Sequence, residues 1–184
     1  LVGSEKCIRG RLDAIRKAKA GEYRKQVEES YGHFYRLMME EIAVTLKEFK
    51  QRFPEYDGRG YELAGFVWFQ GWNDMFTDGA LEAYAENLAN LVEDMREELD
   101  APGLPFVVGQ TGNANNEELW AAQEAATLRT EFEGEAAYVP TRAFLRRPED
   151  SPNTGHGHHW FGNAESYLRV GDAMGQAMVG LLID

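Results

Sequence analysis

The chain has 184 residues, which suits one domain with a real hydrophobic core, and its 43% hydrophobic and 27% charged residues are typical of a globular protein. The formal net charge of −12 argues against a nucleic-acid partner, because phosphate binding needs a basic surface. No apolar run reaches the length of a membrane span, and a single cysteine, Cys7, excludes an internal disulfide.

Charge is unevenly spread along the chain. The first segment is basic and contains Lys6, Arg9, Arg11, Arg16, Lys17, Lys19, Arg24 and Lys25, whereas the rest of the chain is strongly acidic. We interpret this segment as a solvated helix face, with an anion or partner site as the alternative. The chain begins with Leu1 and has no signal-peptide pattern, so we expect that its N-terminus was processed, cut or left out.

The first predicted elements are helical. Residues 5–53 favour a helix, and an apolar stripe in its second half is formed by Phe34, Met38, Ile42, Leu46, Phe49 and Phe53. Pro54 ends the helix, and residues 56–60 form a loop. The apolar run 63–69 then predicts a strand buried on both faces.

A helix follows Gly79, with one apolar face formed by Leu81, Tyr84, Leu88, Val92, Met95 and Leu99. Residues 104–110 predict a second strand, and residues 111–116 a polar loop whose last member, Asn116, caps a helix to about Arg129. A third strand over 135–141 leads into a long loop over 142–160. Asn163 caps a last helix, whose apolar face is Tyr167, Val170, Met174, Met178 and Leu181.

Strands that alternate with long helices predict an α/β fold, a three-layer α/β/α sandwich around a parallel sheet. Ligands of such folds bind beyond the carboxyl ends of the strands. Three loops are expected there: "GWND" (71–74), "TGNANN" (111–116) and the histidine-rich loop before the last helix.

That third loop contains His156, His158 and His159. The cluster has two interpretations. It could ligate a metal, although adjacent histidines rarely reach one ion together. Alternatively, one histidine is a general base, since imidazole titrates near neutral pH, and His156 and His158 are structural.

Two stretches resemble blocks of the sialate O-acetylesterase-type carbohydrate esterases, within the SGNH hydrolase superfamily. "GWND" matches the Gly-x-Asn-(Asp) of the third block, and "GFVWFQGWND" (65–74) is similar to the strand end of these esterases. "HHWFGNAESYLRVGDAMGQAM" (158–178) resembles the last block, in which a catalytic His precedes the helix that closes the sheet. The resemblance extends over about 61–182 and implies an SGNH, flavodoxin-like fold.

The resemblance implies a role for each site residue. Asn73 would donate to the oxyanion of a tetrahedral intermediate, and His159 would be the catalytic base. Gly71 would allow close approach of the backbone to the substrate. Gln70 would orient the loop or bind a substrate hydroxyl. Trp72 and Trp160 would line a sugar site, whereas Trp68 is expected in the core; the alternative for Asn73 is a turn residue that bonds its own backbone.

The sequence departs from the family pattern at the triad acid. His156 stands where the family often has Asp, and Trp72 stands where many relatives have Glu. Asp74 is the nearest candidate for the triad acid and Asp150 a weaker one. A Ser-His dyad, with a backbone carbonyl that orients the ring, is the alternative.

The nucleophile is the larger departure. The family serine lies in a "G-[QD]-S" turn, and the serines of this chain, Ser4, Ser30, Ser151 and Ser166, have no such context. A three-stranded parallel sheet would also leave an apolar edge. We therefore expect a helical segment at 1–60 and, at 61–184, the C-terminal part of an SGNH-like domain. The nucleophile, the second-block glycine and the first strands would come from upstream sequence or a second chain.

The leading hypothesis is a serine esterase that removes O-acetyl groups from carbohydrate of sialate or xylan type and needs no cofactor and no metal. The resemblance alone suggests an extracellular or periplasmic location. The first alternative is a non-catalytic carbohydrate-binding or interaction domain that has lost its serine. The second is a metal-dependent hydrolase that uses the histidine cluster.

Overall fold

The structure of the protein is a computed structural model, which describes residues 32–183. Its helices are α1 (His33–Lys47), α2 (Phe49–Arg52), α3 (Tyr84–Glu98), α4 (Glu117–Thr127) and α5 (Ala164–Ile183). Its strands are β1 (Phe66–Trp68), β2 (Phe106–Gly109) and β3 (Ala136–Val139). The described residues form two compact units, one of residues 32–63 and Asn87–Asp100, the other of Ala64–Glu86 and residues 101–183.

The first unit contains α1 and α2, which end before Pro54 as predicted. The predicted apolar stripe is confirmed only in part: Met38, Ile42, Leu46 and Phe49 are half-buried, but Phe34 is 69% exposed and Phe53 52%. The fully buried positions of α1 are instead Tyr35 and Met39. The reason is a polar contact that apolar periodicity does not count: the Tyr35 hydroxyl donates to Glu98 Oε2 at 2.8 Å. The rest of the predicted helix, residues 5–31, lies outside the described residues.

The second unit contains a parallel sheet in the order β1-β2-β3. Phe66 pairs with Phe106 in the register of β1 and β2, and Phe106 pairs with Ala136 in that of β2 and β3. The predicted α/β fold with a parallel sheet is therefore confirmed, and each strand lies inside its predicted range.

Helices cover both faces of this sheet. Val107 of β2 packs in a hydrophobic cluster with Val170 and Met174 of α5. Neighbouring residues of a strand point to opposite faces, so Phe106 points away from α5. Its ring contacts Phe132, just after α4, at a centroid distance of 5.0 Å. Because α4 and α5 both contact β2 and β3, the unit has three layers.

Strand β1 differs from its prediction in burial. Instead of being buried on both faces, it leaves Val67 51% exposed and is followed by Phe69 at 37%. The reason is its place in the sheet: among residues 32–183, β1 pairs with β2 alone and is an edge strand.

Local signals in the polar loops are confirmed. The Asn116 side chain accepts from the Leu119 N–H at 2.9 Å and caps α4, and Asn163 accepts from the Ser166 N–H at 3.2 Å and caps α5. The apolar face of α3 is also as predicted, with Tyr84, Leu88 and Met95 buried. In the described part of the chain, no helix is both long and apolar enough to cross a membrane.

Candidate active site

The backbone carbonyl of Gln70, just beyond β1, is held by hydrogen bonds where the candidate site begins. It accepts a hydrogen bond from the Tyr84 hydroxyl at 2.7 Å and another from Gln123 Nε2 at 2.8 Å. The Gln123 amide is fully buried, and its Oε1 accepts from the Thr111 N–H at 3.0 Å. One amide on α4 therefore joins the carboxyl ends of β1 and β2.

Gly71 turns the chain from β1 into a 3₁₀ helix, Trp72–Phe76. Its φ of +153° and ψ of −12° favour glycine. A Cβ atom there would lie 2.9 Å from Leu119 Cδ1 and 3.0 Å from Gln123 Nε2. Thus the turn needs glycine both for its backbone conformation and for its close packing on α4.

An open pocket of about 560 Å³ lies at this edge of the sheet. It is lined by Phe69, Gln70, Gly71, Trp72, Asn73, Thr111, Asn113, His158, His159, Trp160 and Tyr167. Six of the seven residues predicted from the sequence are among them, and only Asp74 is not. The three loops expected at the carboxyl edge each contribute to the lining.

Asn73 is exposed on the pocket wall. Among residues 32–183, its side-chain amide forms no hydrogen bond, in contrast to the amide of Gln70, which donates to Asp74 Oδ2 at 2.7 Å. The Asn73 amide can therefore donate to a ligand in the pocket.

The histidine loop approaches the pocket as a kinked 3₁₀ segment, Gly157–Gly162. Trp160 and Phe161 have left-handed backbone conformations, with φ of 51° and 53°. Trp160 is only 3% exposed and belongs to the hydrophobic cluster on α5, so it forms a wall of the pocket and anchors the loop.

Three imidazole rings lie together on this loop. The His158 and His159 ring centroids are 4.3 Å apart, and His156 stacks with His159 at 6.4 Å. His158 also contacts the Trp72 ring at 5.9 Å. In the described part of the chain, no three His, Cys, Asp or Glu side chains are arranged to hold a metal ion.

The two acidic candidates lie outside the pocket lining. Asp74 is buried, and its carboxylate accepts from Gln70 within the same turn. Asp150 pairs with Arg147, whose Nη2 lies 2.8 Å from Asp150 Oδ2. Among the residues that the structure describes, neither carboxylate is hydrogen-bonded to a histidine.

One protein family matches most of the chain. The model of the carbohydrate esterase family described as sialic acid-specific acetylesterase matches residues 9–180. The chain belongs to this family. No curated protein and no solved structure matches it. Family membership confirms the resemblance in the sequence and the α/β class of the fold.

Both serines within residues 32–183 form hydrogen bonds away from the pocket. Ser166 is fully buried, and its hydroxyl donates to the Phe144 carbonyl at 2.7 Å. The Ser151 hydroxyl donates to the Arg147 carbonyl at 2.8 Å. Neither serine lines the pocket. Ser4 and Ser30 lie outside the described residues.

Several pocket residues of this family member were not singled out from its sequence. Thr111, Asn113 and Tyr167 line the pocket, and Gln123 holds its floor. The carboxyl-edge rule did indicate the loop that contains Thr111 and Asn113. No sequence signal marks Gln123, because it acts on Gln70, which is 53 residues away along the chain.

Proposed function

We propose that the protein is a serine esterase that removes O-acetyl groups from carbohydrate, of sialate or xylan type. Asn73 is the oxyanion donor and His159 the general base. The observation that supports this proposal best is the shared pocket, which is lined by both His159 and Asn73, whose amide has no hydrogen-bond partner within residues 32–183.

The proposed reaction begins when His159 takes the proton of a serine hydroxyl, whose oxygen attacks the acetyl carbonyl carbon. The carbonyl oxygen becomes an oxyanion and accepts a hydrogen bond from Asn73 Nδ2. The bond to the sugar oxygen then breaks, and that oxygen leaves with the proton from His159. Water repeats the sequence on the acetyl-serine, with His159 as base, and releases acetate.

Gly71, Gln70 and the tryptophans would support this chemistry. Gly71 leaves the wall beside Asn73 without a side chain. Gln70 holds the buried Asp74 and so orients the turn, which makes Asp74 a support of Asn73 in this proposal. Trp72 offers its ring to a sugar, since it is more exposed than the 3% exposed Trp160.

The nucleophile is proposed to come from outside residues 32–183, either from upstream sequence or from a second chain. The engaged hydroxyls of Ser151 and Ser166 support this proposal. The edge strand β1 supports it too, because Val67 is exposed and a neighbouring strand would cover it. The same segment would supply the glycine N–H of the oxyanion hole.

Steady-state kinetics on an O-acetylated sugar test the assignment in the complete protein. We expect His159→Ala to lose nearly all turnover and to keep only the small residual rate that substrate binding and the oxyanion hole support. Asn73→Ala should lower kcat by about a hundredfold or more, because one oxyanion donor is worth a few kcal/mol. His33→Ala is the control, because His33 is an exposed histidine of the other unit. Wild-type rates in both site variants would refute the assignment.

A non-catalytic carbohydrate-binding domain is the second candidate. It is favoured by the engagement of both described serines, which leaves the pocket without a described nucleophile. This candidate predicts saturable binding of the acetylated sugar by calorimetry, with no acetate released over long incubation. Release of acetate that depends on His159 would exclude it.

A further inference from the structure

We propose that Asn113 and Tyr167 are positioning residues that hold His159 in place by clamping the backbone of its loop. This inference rests on the proposed role of His159 as the general base. In the family, an Asp of the catalytic triad often orients the catalytic histidine, but His156 occupies that position here. The hydrogen bonds of Asn113 and Tyr167, which we call the clamp, would orient His159 instead.

The clamp consists of side-chain hydrogen bonds to three consecutive carbonyls. Asn113 Nδ2 donates to the Gly157 carbonyl at 3.1 Å and to the His158 carbonyl at 2.9 Å. The Tyr167 hydroxyl donates to the His159 carbonyl at 3.0 Å. The donors come from different elements, the loop after β2 and the helix α5, so the His159 backbone is held from two sides.

The loop needs such restraint because its backbone is strained. Trp160 and Phe161 follow His159 with φ values of 51° and 53°. Left-handed conformations of residues other than glycine cost about 1–3 kcal/mol each and persist only when their surroundings impose them. The buried Trp160 ring holds the turn after His159, and the clamp holds the backbone from Gly157 to His159.

All the hydrogen bonds of the Asn113 side-chain amide within residues 32–183 go to the histidine loop. Its Nδ2 serves two loop carbonyls, whereas its Oδ1 is buried without a hydrogen-bond partner among the described residues. An unsatisfied buried acceptor costs about 1–3 kcal/mol, and such groups call for an explanation in a native fold. The fixed position of Nδ2 against the histidine loop supplies that explanation.

The His159 imidazole itself has no hydrogen-bond partner within residues 32–183. In a triad, a carboxylate would hold the ring directly. Here the ring is oriented through its backbone, through stacking with His156 and through a tilted ring contact with His158. Loss of the clamp should therefore displace the base without removing it, and displacement of about 1 Å can cost about a hundredfold in rate.

Kinetics of three variants of the complete protein test the clamp. Asn113→Asp keeps the size of the side chain but offers only acceptors to two carbonyls, and Asn113→Ala and Tyr167→Phe remove donors. We expect kcat to fall about tenfold to a hundredfold in both Asn113 variants, and less in Tyr167→Phe, with KM within about twofold.

Two controls separate positioning from stability. Asn116→Ala removes an amide of the same loop as Asn113, but this amide caps α4 and does not bond to the histidine loop. The variant should lose about 1 kcal/mol of stability and keep the wild-type kcat. Tyr56→Phe removes a hydroxyl that donates to the Gly60 carbonyl in the other unit and should also keep kcat.

A double variant gives the deciding result. If Asn113 acts through His159, adding Asn113→Ala to His159→Ala leaves the residual rate unchanged, because there is no longer a base to position. A further fall in the double variant, a wild-type kcat in Asn113→Asp, or an equal loss in Asn116→Ala would overturn the clamp. Full activity of His159→Ala alone would instead refute the proposed function.

Discussion

Replacement of Gly71 by alanine tests the packing that supports the pocket floor. The added Cβ would lie 2.9 Å from Leu119 Cδ1 and 3.0 Å from Gln123 Nε2, and both of these side chains are fully buried. A φ of +153° with a side chain costs about 1–3 kcal/mol, and overpacking a buried contact costs about 1–3 kcal/mol more. We therefore expect Gly71→Ala to lower the free energy of unfolding by about 4 kcal/mol.

Two glycines provide matched controls for this variant. Gly79 has a positive φ of +71° but open space around its Cβ position, so Gly79→Ala isolates the backbone cost. Gly155 has open space and no positive φ, and Gly155→Ala should change stability by about 0.5 kcal/mol or less. Urea unfolding of the complete protein measures all three. Equal losses in Gly71→Ala and Gly79→Ala would refute the packing argument.

Two further predictions concern the groups that bind the Gln70 carbonyl. Burial raises the pKa of Tyr84 to about 12, so its contribution to stability is complete below its ordinary pKa of 10 and is lost as the pH rises towards 12. Between pH 10 and pH 12, the free energy of unfolding should decrease by about 3 kcal/mol less in Tyr84→Phe than in the wild type, as measured by urea unfolding. An unchanged pH dependence would contradict the burial argument. Gln123→Ala removes hydrogen bonds to Gln70 and Thr111 and should cost about 2–4 kcal/mol, against about 0.5 kcal/mol or less for the exposed Gln176→Ala. Equal unfolding midpoints for the two glutamine variants would show that the amide does not join the strands.

The predictable part of the fold is the part determined by local chemistry. Asn116 and Asn163 cap their helices as predicted, because a cap needs only a polar side chain near the first N–H groups. The buried positions of α1 could not be predicted, because the Tyr35 hydroxyl finds its partner in Glu98, which is 63 residues away. Long-range partners of this kind leave no periodic signal.

The site divides in the same way. The rule that parallel strands end at one edge, with the family resemblance, was enough to bring Asn73 and His159 into one region. The direction of a side chain within a turn was not predictable. Asp74 follows Asn73 directly, yet the 3₁₀ turn buries its carboxylate against Gln70 and leaves the Asn73 amide in the pocket.

The most direct test of the account is covalent labelling of the complete protein with a serine-directed fluorophosphonate. We predict one labelled serine outside residues 32–183, at a rate that falls at least about a hundredfold in His159→Ala, because the base activates that hydroxyl. His33→Ala should label at the wild-type rate. Labelling of Ser151 or Ser166 would contradict the proposed esterase mechanism. So would a complete protein that binds the O-acetylated sugar but is not labelled at any serine.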